Sequence, residues 1–401
     1  MSQTSLQSRT RGINRMVLSV LAVLCILAPT SHPLHGLLNW DIKYVYVASF
    51  VGLLAICFIG EREQTHSYRP LAIALLYFAF GILGTIISGA YHQIMIGIVG
   101  SASVIAVYYS RRYIYSEQAV RALNIITFCI LAGAWIALIY ALLGGGAIFA
   151  AMNLETDKEM PFYLTSFTNS VQDGLIRPSG IFDEPGALAM FSIIVAIIND
   201  IYGKNSSKTQ LILLANLVTL SVMAFIALVI FWTSAFFVRG KRFVAFAVAF
   251  LATIALLAIP TARDIFSETV LSRFRMEDGK FAGDNRSNQL ENFFYYLDWN
   301  IIKKGYLTSY GRFDLDMSSN PFSILFASGI FVWIPYFLIC CMLLFLCFKN
   351  RKIGWAIPLT LLILILQRPY IYSLYWSFML SVALMPVLFA ETLSARRRMQ
   401  N

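Results

Sequence analysis

Charged side chains are scarce in this sequence, and their scarcity excludes an ordinary soluble protein. Asp, Glu, Lys and Arg make up 13% of the 401 residues, whereas 58% are hydrophobic. A soluble domain is about half apolar and about a quarter charged. Because a transmembrane helix needs roughly 20 apolar residues, the length corresponds to about a dozen spans joined by short loops.

Several common functional motifs are also missing. The sequence has no GxSxG, Walker loop, HExxH or CxxC, and its cysteines lie in apolar runs. His32 and His35 fall in a predicted outer loop without the third ligand that a metal site needs. Asp314 and Asp316 form a DxD pair, a motif that can hold a metal ion together with a nucleotide sugar. This segment is predicted to lie outside the cell, where no nucleotide sugar is expected. We therefore predict neither a metal nor another cofactor.

Apolar runs predict an all-α, polytopic integral membrane protein in which residues 1–401 form one membrane-embedded domain. The runs lie at about 16–30, 44–60, 70–88, 93–109, 122–143, 185–202, 211–238, 243–260, 321–348, 353–366 and 371–392. Arg9, Arg11 and Arg15 before the first run could belong to a signal peptide, but the many later spans favour a retained first helix.

Basic residues mark the loops that are expected to face the cytoplasm. Clusters of Lys and Arg occur in every second loop until the run 211–238, which has basic residues at both ends. Two short helices, about 211–221 and 222–238, restore the alternation; they must tilt, thin the bilayer or form a re-entrant pair. The result is about 12 transmembrane helices with both termini cytoplasmic. Topology then explains the net charge of +10, and no nucleic-acid partner is expected.

Two predicted extracytoplasmic loops are long, at about 144–184 and 261–320, and long loops in compact proteins are usually functional or disordered. Within the second loop, the aromatic-rich stretch 286–304 predicts an amphipathic helix on the membrane surface. Arg286 and Arg312 lie in the same loop, where a solvated position is the simpler interpretation for any single Arg.

The stretch RPSGIFDEP at 177–185 leads directly into an apolar helix. Pro185 suits the first helical position, which makes Glu184 the N-cap. The free N–H groups of the helix and Arg177 upstream suit an anion such as a phosphate, held near the carboxylates of Asp183 and Glu184. The alternative is a capped helix with an Arg that extends to the membrane surface.

A second break occurs at Gln367-Arg368-Pro369-Tyr370, between two predicted spans. Proline disfavours helix at the residue before it, so the break falls at Arg368. An Arg at a helix break in or near the membrane is costly unless it is paired or functional. For the aromatic residues Tyr370, Tyr372, Tyr375 and Trp376, we favour a belt at the membrane interface.

These motifs, in this order, resemble the O-antigen polymerase (Wzy-type) family, which is related to the O-antigen ligases. The resemblance covers about residues 175–390. It rests on RPSGIFDEP at 177–185, the split run 211–238, Asn285-Arg286 in the large loop, SNPFSILFASGI at 319–330 and QRPYIYSLYWSF at 367–378.

The resemblance implies a metal-independent membrane glycosyltransferase that transfers a growing glycan from undecaprenyl diphosphate to a sugar hydroxyl of the next lipid-linked repeat unit. Arg177, Arg286 and Arg368 are the candidates for the leaving diphosphate, because the Arg fork binds phosphate oxygens in a bidentate manner. The acceptor hydroxyl needs a general base. Glu184 is our first choice and Asp183 the second.

The resemblance also implies a setting for this reaction. We assign glycan contacts to Tyr370, Asn320 and Arg312. The product would be O-antigen of lipopolysaccharide, capsule or exopolysaccharide. The location would be the bacterial inner membrane, with the active site on the periplasmic face, a lipid-linked oligosaccharide as substrate and a chain-length-determining co-polymerase as a further partner.

Two other functions compete with polymerisation. Ligase relatives, which transfer glycan to lipid A core, carry a His before the Asn that opens the late span, where this chain has Ser319 before Asn320; this difference favours a polymerase. A flippase or transporter for lipid-linked sugars needs charges deep within its spans, whereas the charges here lie at span ends and in loops.

Overall fold

Helices make up most of the chain in the computed structural model, which describes residues 3–59, 69–153, 158–172, 175–202, 206–239, 276–277, 280–281, 293–306, 321–349 and 354–389. The first nine helices are α1 (Gln3–Leu27), α2 (His32–Leu38), α3 (Ile42–Ile59), α4 (Arg69–Ser88), α5 (Tyr91–Ile114), α6 (Glu117–Leu142), α7 (Pro185–Tyr202), α8 (Ser206–Ala215) and α9 (Val222–Arg239). The later ones are α10 (Trp299–Lys304), α11 (Ser323–Ser328), α12 (Ile330–Lys349), α13 (Ala356–Gln367) and α14 (Ser377–Leu388). Short 3₁₀ turns lie at Ala28–Thr30, Asn216–Thr219 and Tyr370–Tyr372.

Six of the described helices are long and apolar enough to cross a membrane: α3, α4, α5, α6, α7 and α12. A seventh candidate joins Asn14–Thr30 to His32–Leu38 across a bend of 81°. Three shorter apolar helices, Val222–Ser234, Ala356–Gln367 and Ser377–Leu388, fall below the spanning length. The prediction of a helical membrane protein is therefore supported, while the count of 12 spans stays a prediction, and the predicted run 243–260 lies outside the described residues.

Helix α7 forms the centre of the helix bundle. Of its most apolar window, 78% is buried inside the protein, compared with 22% for α3. A helix that is apolar all round is stable only where other elements cover every face, and α6, α8, α9 and α14 pack around α7. The first residues of α7 therefore reach the end of the bundle at a point that is enclosed by protein.

The chain breaks between α8 and α9, where we predicted two short helices. Leu220 adopts a left-handed conformation (φ 49°), which a helix cannot continue through, and α9 begins at Val222, as predicted. The indole Nε1 of Trp135 donates to the Ala215 carbonyl at 3.0 Å, and Asn216 Nδ2 donates to the Ala189 carbonyl at 3.3 Å. These two hydrogen bonds attach the segment before the break to α6 and α7.

The predicted loop 144–184 contains strands, so the fold is not purely α-helical. β1 (Phe149–Asn153), β2 (Lys158–Tyr163) and β3 (Ser166–Phe167) form an antiparallel sheet in the order β1-β2-β3. β4 (Val171–Gln172) pairs with β5 (Leu175–Ile176), and β6 (Met276–Glu277) pairs with β7 (Lys280–Phe281). The sheet packs on α2 so closely that a Cβ at Gly36 would overlap the Met152 carbonyl.

The predicted amphipathic helix 286–304 is described only from residue 293 onwards. Residues 293–296 are helical, and α10 follows after an Asp298 N-cap, whose carboxylate accepts from Ile301 N at 2.7 Å. Ile301 is fully buried, while Tyr295 and Trp299 are exposed. Gln93 of α5 donates to the carbonyls of Lys303 and Lys304. The segment is therefore amphipathic and attached to the bundle.

Candidate functional site

The two sequence motifs 177–185 and 367–378 meet at one end of α7. The Phe182 ring lies 5.7 Å from the Trp376 ring, and both side chains are fully buried. Tyr375 is also buried. The predicted interfacial belt is therefore wrong for Tyr375 and Trp376, because these rings face the protein interior and join the two motifs.

Local hydrogen bonds shape the turn that leads into α7. Ser179 Oγ lies 2.9 Å from the Phe167 carbonyl oxygen and 2.8 Å from the Phe182 carbonyl oxygen, and its one hydroxyl hydrogen can be donated to either. The N–H of Gly180 donates to Ser166 Oγ at 2.8 Å, and Gly180 has a φ of 66°, which only glycine adopts without strain. The turn is thus fixed to strand β3, and it presents Asp183 and Glu184 at the start of α7.

Glu184 occupies the N-cap of α7, as predicted. The helix begins at Pro185, and the Glu184 carbonyl accepts from the N–H groups of Ala187 and Leu188. A carboxylate at this position is stabilised by the positive end of the helix dipole.

Arg368 pairs with Glu184 across the two motifs. Arg368 caps the C-terminus of α13, and its Nη1 donates to Glu184 Oε1. Only 12% of the Arg368 side chain is exposed, compared with 31% for Glu184. Burial acts to raise the pKa of Glu184, but the Arg368 guanidinium outweighs it and holds that pKa below its ordinary value. Tyr370 lies beside the pair, with its hydroxyl 3.4 Å from Arg368 Nη1.

Gly186 provides the space in which the Arg368 guanidinium lies. A Cβ at residue 186 would overlap Arg368 Nη2. No sequence motif pointed to Gly186, although an isolated glycine inside an apolar helix often has a packing reason.

We predict that Gly186→Ala displaces the guanidinium and destabilises the protein by about 1–3 kcal/mol. By helix propensity alone, replacing glycine with alanine would stabilise the helix by up to about 1 kcal/mol. A lower melting temperature would therefore show that the overlap with Arg368 outweighs this gain. Thermal unfolding of detergent-solubilised protein measures the effect. The control is Gly146→Ala, since a Cβ at Gly146 meets open space; equal melting temperatures for the two variants would contradict the prediction.

Arg177 extends from the same turn towards the break between α8 and α9. Its Nη2 donates to the Leu220 carbonyl at 3.3 Å, and the side chain is half-buried. The positive charge of Arg177 also contributes to the lowered pKa of Glu184. Two guanidinium groups therefore lie near the start of α7, together with two carboxylates.

Asp183 faces His32, a residue whose place in the site the sequence did not predict. His32 Nδ1 lies 3.7 Å from Asp183 Oδ1, and 5% of the His32 side chain is exposed, compared with 23% for Asp183. The imidazole stacks on the Tyr375 ring, with centroids 3.6 Å apart. Burial raises the pKa of Asp183, and the nearby Glu184 adds to this effect, while His32 acts in the opposite direction.

The structure thus brings together five predicted site residues: Arg177, Asp183, Glu184, Arg368 and Tyr370. The other predicted residues, Arg286, Arg312 and Asn320, lie outside the described residues, as do Asp314 and Asp316. Within the described parts of the chain, no three His, Cys, Asp or Glu side chains form a group that could hold a metal ion. Metal independence stays a prediction.

Comparisons with protein-family models, curated proteins and solved structures find no match. The fold and the site define a mostly helical protein with several apolar helices of membrane-spanning length and a partly buried cluster of Arg and carboxylate side chains at the start of its central helix.

Proposed function

We propose that the protein is a polysaccharide polymerase that transfers a glycan from undecaprenyl diphosphate to a sugar hydroxyl of a lipid-linked repeat unit. The observation that carries the proposal is the pairing of Arg368 with Glu184, which unites the two motifs of the polymerase resemblance at the N-terminus of α7. The resemblance and the chemistry of the clustered side chains support the same reaction.

The leaving group of this reaction is a diphosphate, which requires cations to stabilise its developing charge. Arg368 Nη1 donates to Glu184. In this proposal, the remaining N–H groups of the guanidinium donate to phosphate oxygens. Arg177 supplies a second guanidinium, and the α7 N-terminus adds a positive dipole end. In this proposal, Glu184 orients Arg368, and phosphate oxygens compete with the Leu220 carbonyl for Arg177.

The proton acceptor in this proposal is Asp183, although the sequence favoured Glu184. A general base works best when its pKa lies near the operating pH. Arg368 holds the pKa of Glu184 below its ordinary value, whereas burial raises the pKa of Asp183 above its ordinary value. The Glu184 carboxylate is already engaged by Arg368, and this ion pair gives Glu184 a positioning role.

The proposed setting is the bacterial inner membrane, with about 12 spans, cytoplasmic termini and the site on the periplasmic face. The lipid-linked oligosaccharide would reach the site laterally from the membrane, and the chain-length-determining co-polymerase is a proposed partner. The steps above do not require Arg286, Arg312 or Asn320. The proposal keeps the contacts expected of these residues: Arg286 with the diphosphate, and Arg312 and Asn320 with the glycan.

A flippase for the same lipid is the competing function from a different class. A flippase needs charged groups along a central path, whereas Arg368 and Glu184 lie at helix ends, at the C-cap of α13 and the N-cap of α7. A ligase would use the same leaving group with lipid A core as acceptor, and Ser319 argues against it as described above.

Reconstituted transfer tests the proposal directly. Purified protein in liposomes would receive a repeat unit linked to undecaprenyl diphosphate, with EDTA present, and the products would be separated by size. We expect a ladder of lengthening lipid-linked glycans. Transfer only after addition of lipid A core would indicate a ligase. Movement of the lipid between leaflets without any transfer, in protein with wild-type melting behaviour, would favour a flippase.

A further inference from the structure

The corner between α1 and α2 is attached to the turn that carries Asp183. Ser31 Oγ donates to the Ile181 carbonyl at 2.8 Å, and α2 begins at the next residue, His32. The Tyr375 ring covers one face of the imidazole. Three segments that are distant in sequence therefore fix the position of His32 next to Asp183.

We propose that His32 is the second member of a proton relay, in which Asp183 accepts the proton of the attacking hydroxyl and His32 Nδ1 receives it from Asp183. This inference rests on the proposed glycosyl transfer and adds a catalytic role that the sequence motifs do not contain. The present separation of 3.7 Å exceeds hydrogen-bond length by about 0.5–1 Å, and such distances often shorten when substrate binds.

The relay balances protons and electrons without another reactant. The relay requires a starting pair in which Asp183 is ionised and His32 is neutral with its hydrogen on Nε2, which leaves Nδ1 as the acceptor. The acceptor oxygen forms a bond to the anomeric carbon while its proton moves to Asp183. The bond between that carbon and the diphosphate oxygen breaks, and the electron pair leaves with the diphosphate. The proton then moves to Nδ1, which produces an imidazolium next to a carboxylate.

Other charged groups around the pair define its electrostatics. Glu184 and Arg368 act on the pKa of Asp183 in opposite directions: Glu184 raises it and Arg368 lowers it. Arg177 lies beyond Glu184. On α2, His35 is the titratable neighbour of His32, and its Nε2 lies 2.8 Å from the Ala28 carbonyl. Asp183 Oδ1 lies 3.7 Å from the imidazole Nδ1, and His32 also contributes to the lowered pKa of Glu184.

The pH dependence of transfer distinguishes a relay from a packing role. When two neighbouring groups can hold the same proton, the pair has a protonation midpoint of its own. This midpoint lies at a pH at least as high as the midpoint of either group by itself. Loss of His32 should therefore move the acidic limb of the kcat profile to lower pH, because Asp183 alone must then be protonated to inactivate the enzyme. The maximal rate should fall about tenfold or more, since a positioned acid–base group contributes about 10²–10⁴-fold.

The first experiment compares His32→Asn, His32→Phe and His35→Asn in the liposome transfer assay between about pH 5 and 9. Phenylalanine retains the stack on Tyr375 but has no proton acceptor, so both His32 variants should lose activity and show the shifted limb. His35→Asn is the matched control, since His35 is equally buried in the same helix. Full activity of His32→Phe, or an unchanged limb in both His32 variants, would overturn the relay.

The second experiment does not depend on activity. The chain contains four histidines, so selective labelling allows NMR titration of each imidazole in the full-length protein. We expect Asp183→Asn to move the His32 midpoint to lower pH, because the imidazolium loses its adjacent carboxylate, and to move His35 less. Equal His32 midpoints in the two proteins would overturn the pairing. A third outcome separates the pair from the function: the His32 midpoint shifts in Asp183→Asn, but the wild-type protein forms no ladder. This outcome would contradict the proposed polymerase and the catalytic use of the pair, and it would leave the pair itself established.

Discussion

Arg368→Ala should reduce glycan transfer by about 100- to 1000-fold, the loss that follows removal of one preorganised donor from a developing oxyanion. Arg368 is the guanidinium that joins the two motifs, and its side chain is almost completely enclosed. Arg368→Lys should recover only part of the activity, because an ammonium cannot contact Glu184 and a phosphate through one planar fork. Single-turnover rates with saturating lipid-linked donor measure both effects.

Loss of folding must be separated from loss of chemistry in this test. Removing Arg368 leaves the Glu184 carboxylate without this ion-pair partner and should lower the free energy of unfolding by about 3 kcal/mol. This value is the lower end for a broken buried pair, because Glu184 is partly exposed. The double variant Arg368→Ala/Glu184→Ala removes both charges and should recover much of the stability but none of the transfer. Recovery of transfer together with stability would show that the pair has a structural role only.

The exposed ion pair between Arg121 and Glu117 provides a matched control. Their side chains are 70% and 81% exposed and 3.0 Å apart, one helical turn from each other in α6. Exposed pairs of this kind contribute about 0.3–0.5 kcal/mol. Arg121→Ala should therefore leave both the melting temperature and the rate close to those of the wild type.

Asp183→Asn is expected to have the other large effect, a loss of about 10²–10⁴-fold in the rate of transfer. Asparagine has almost the same shape but cannot accept the hydroxyl proton at neutral pH. Binding of the lipid-linked donor should be retained, because the positive groups of the site remain in place. The measurement pairs single-turnover rates with equilibrium binding of a non-reacting donor analogue.

Glu184→Gln discriminates between the two neighbouring carboxylates. It should weaken donor binding by disturbing Arg368, with a smaller loss in rate at saturating donor than Asp183→Asn causes. The reverse order would restore Glu184 as the base. Asp41→Asn is the background control, because Asp41 is exposed and its carboxylate accepts only a local hydrogen bond from Lys43 N at 2.8 Å among the described residues.

Local sequence rules predicted the features of the site that depend on neighbouring residues. Proline at the first helical position fixed the start of α7 at Pro185, and Pro369 fixed the break at Arg368. The start of α9 at Val222 followed from the alternation of basic loops. The first two inferences needed only residues that are close together in the chain, whereas the start of α9 followed from the order of basic loops along it.

The rest of the site depends on contacts that no local pattern encodes. Ser31 and Ile181 are separated by 150 positions, and their hydrogen bond is what places His32 beside Asp183. Aromatic side chains at a span boundary are compatible with both lipid and protein contact, so composition alone could not show that Trp376 is buried. The strands were missed because β1 alternates over only five residues in an apolar context.

The pair of Arg368 and Glu184 also determines when the site can form during synthesis. Its two residues are separated by 184 positions, so a ribosome must translate and insert α13 before the guanidinium can reach the carboxylate. Until that moment, α7 also lacks α14, which packs against it. In the proposed polymerase, a growing chain would therefore lack the complete site, and glycan transfer would begin only after α13 has been synthesised.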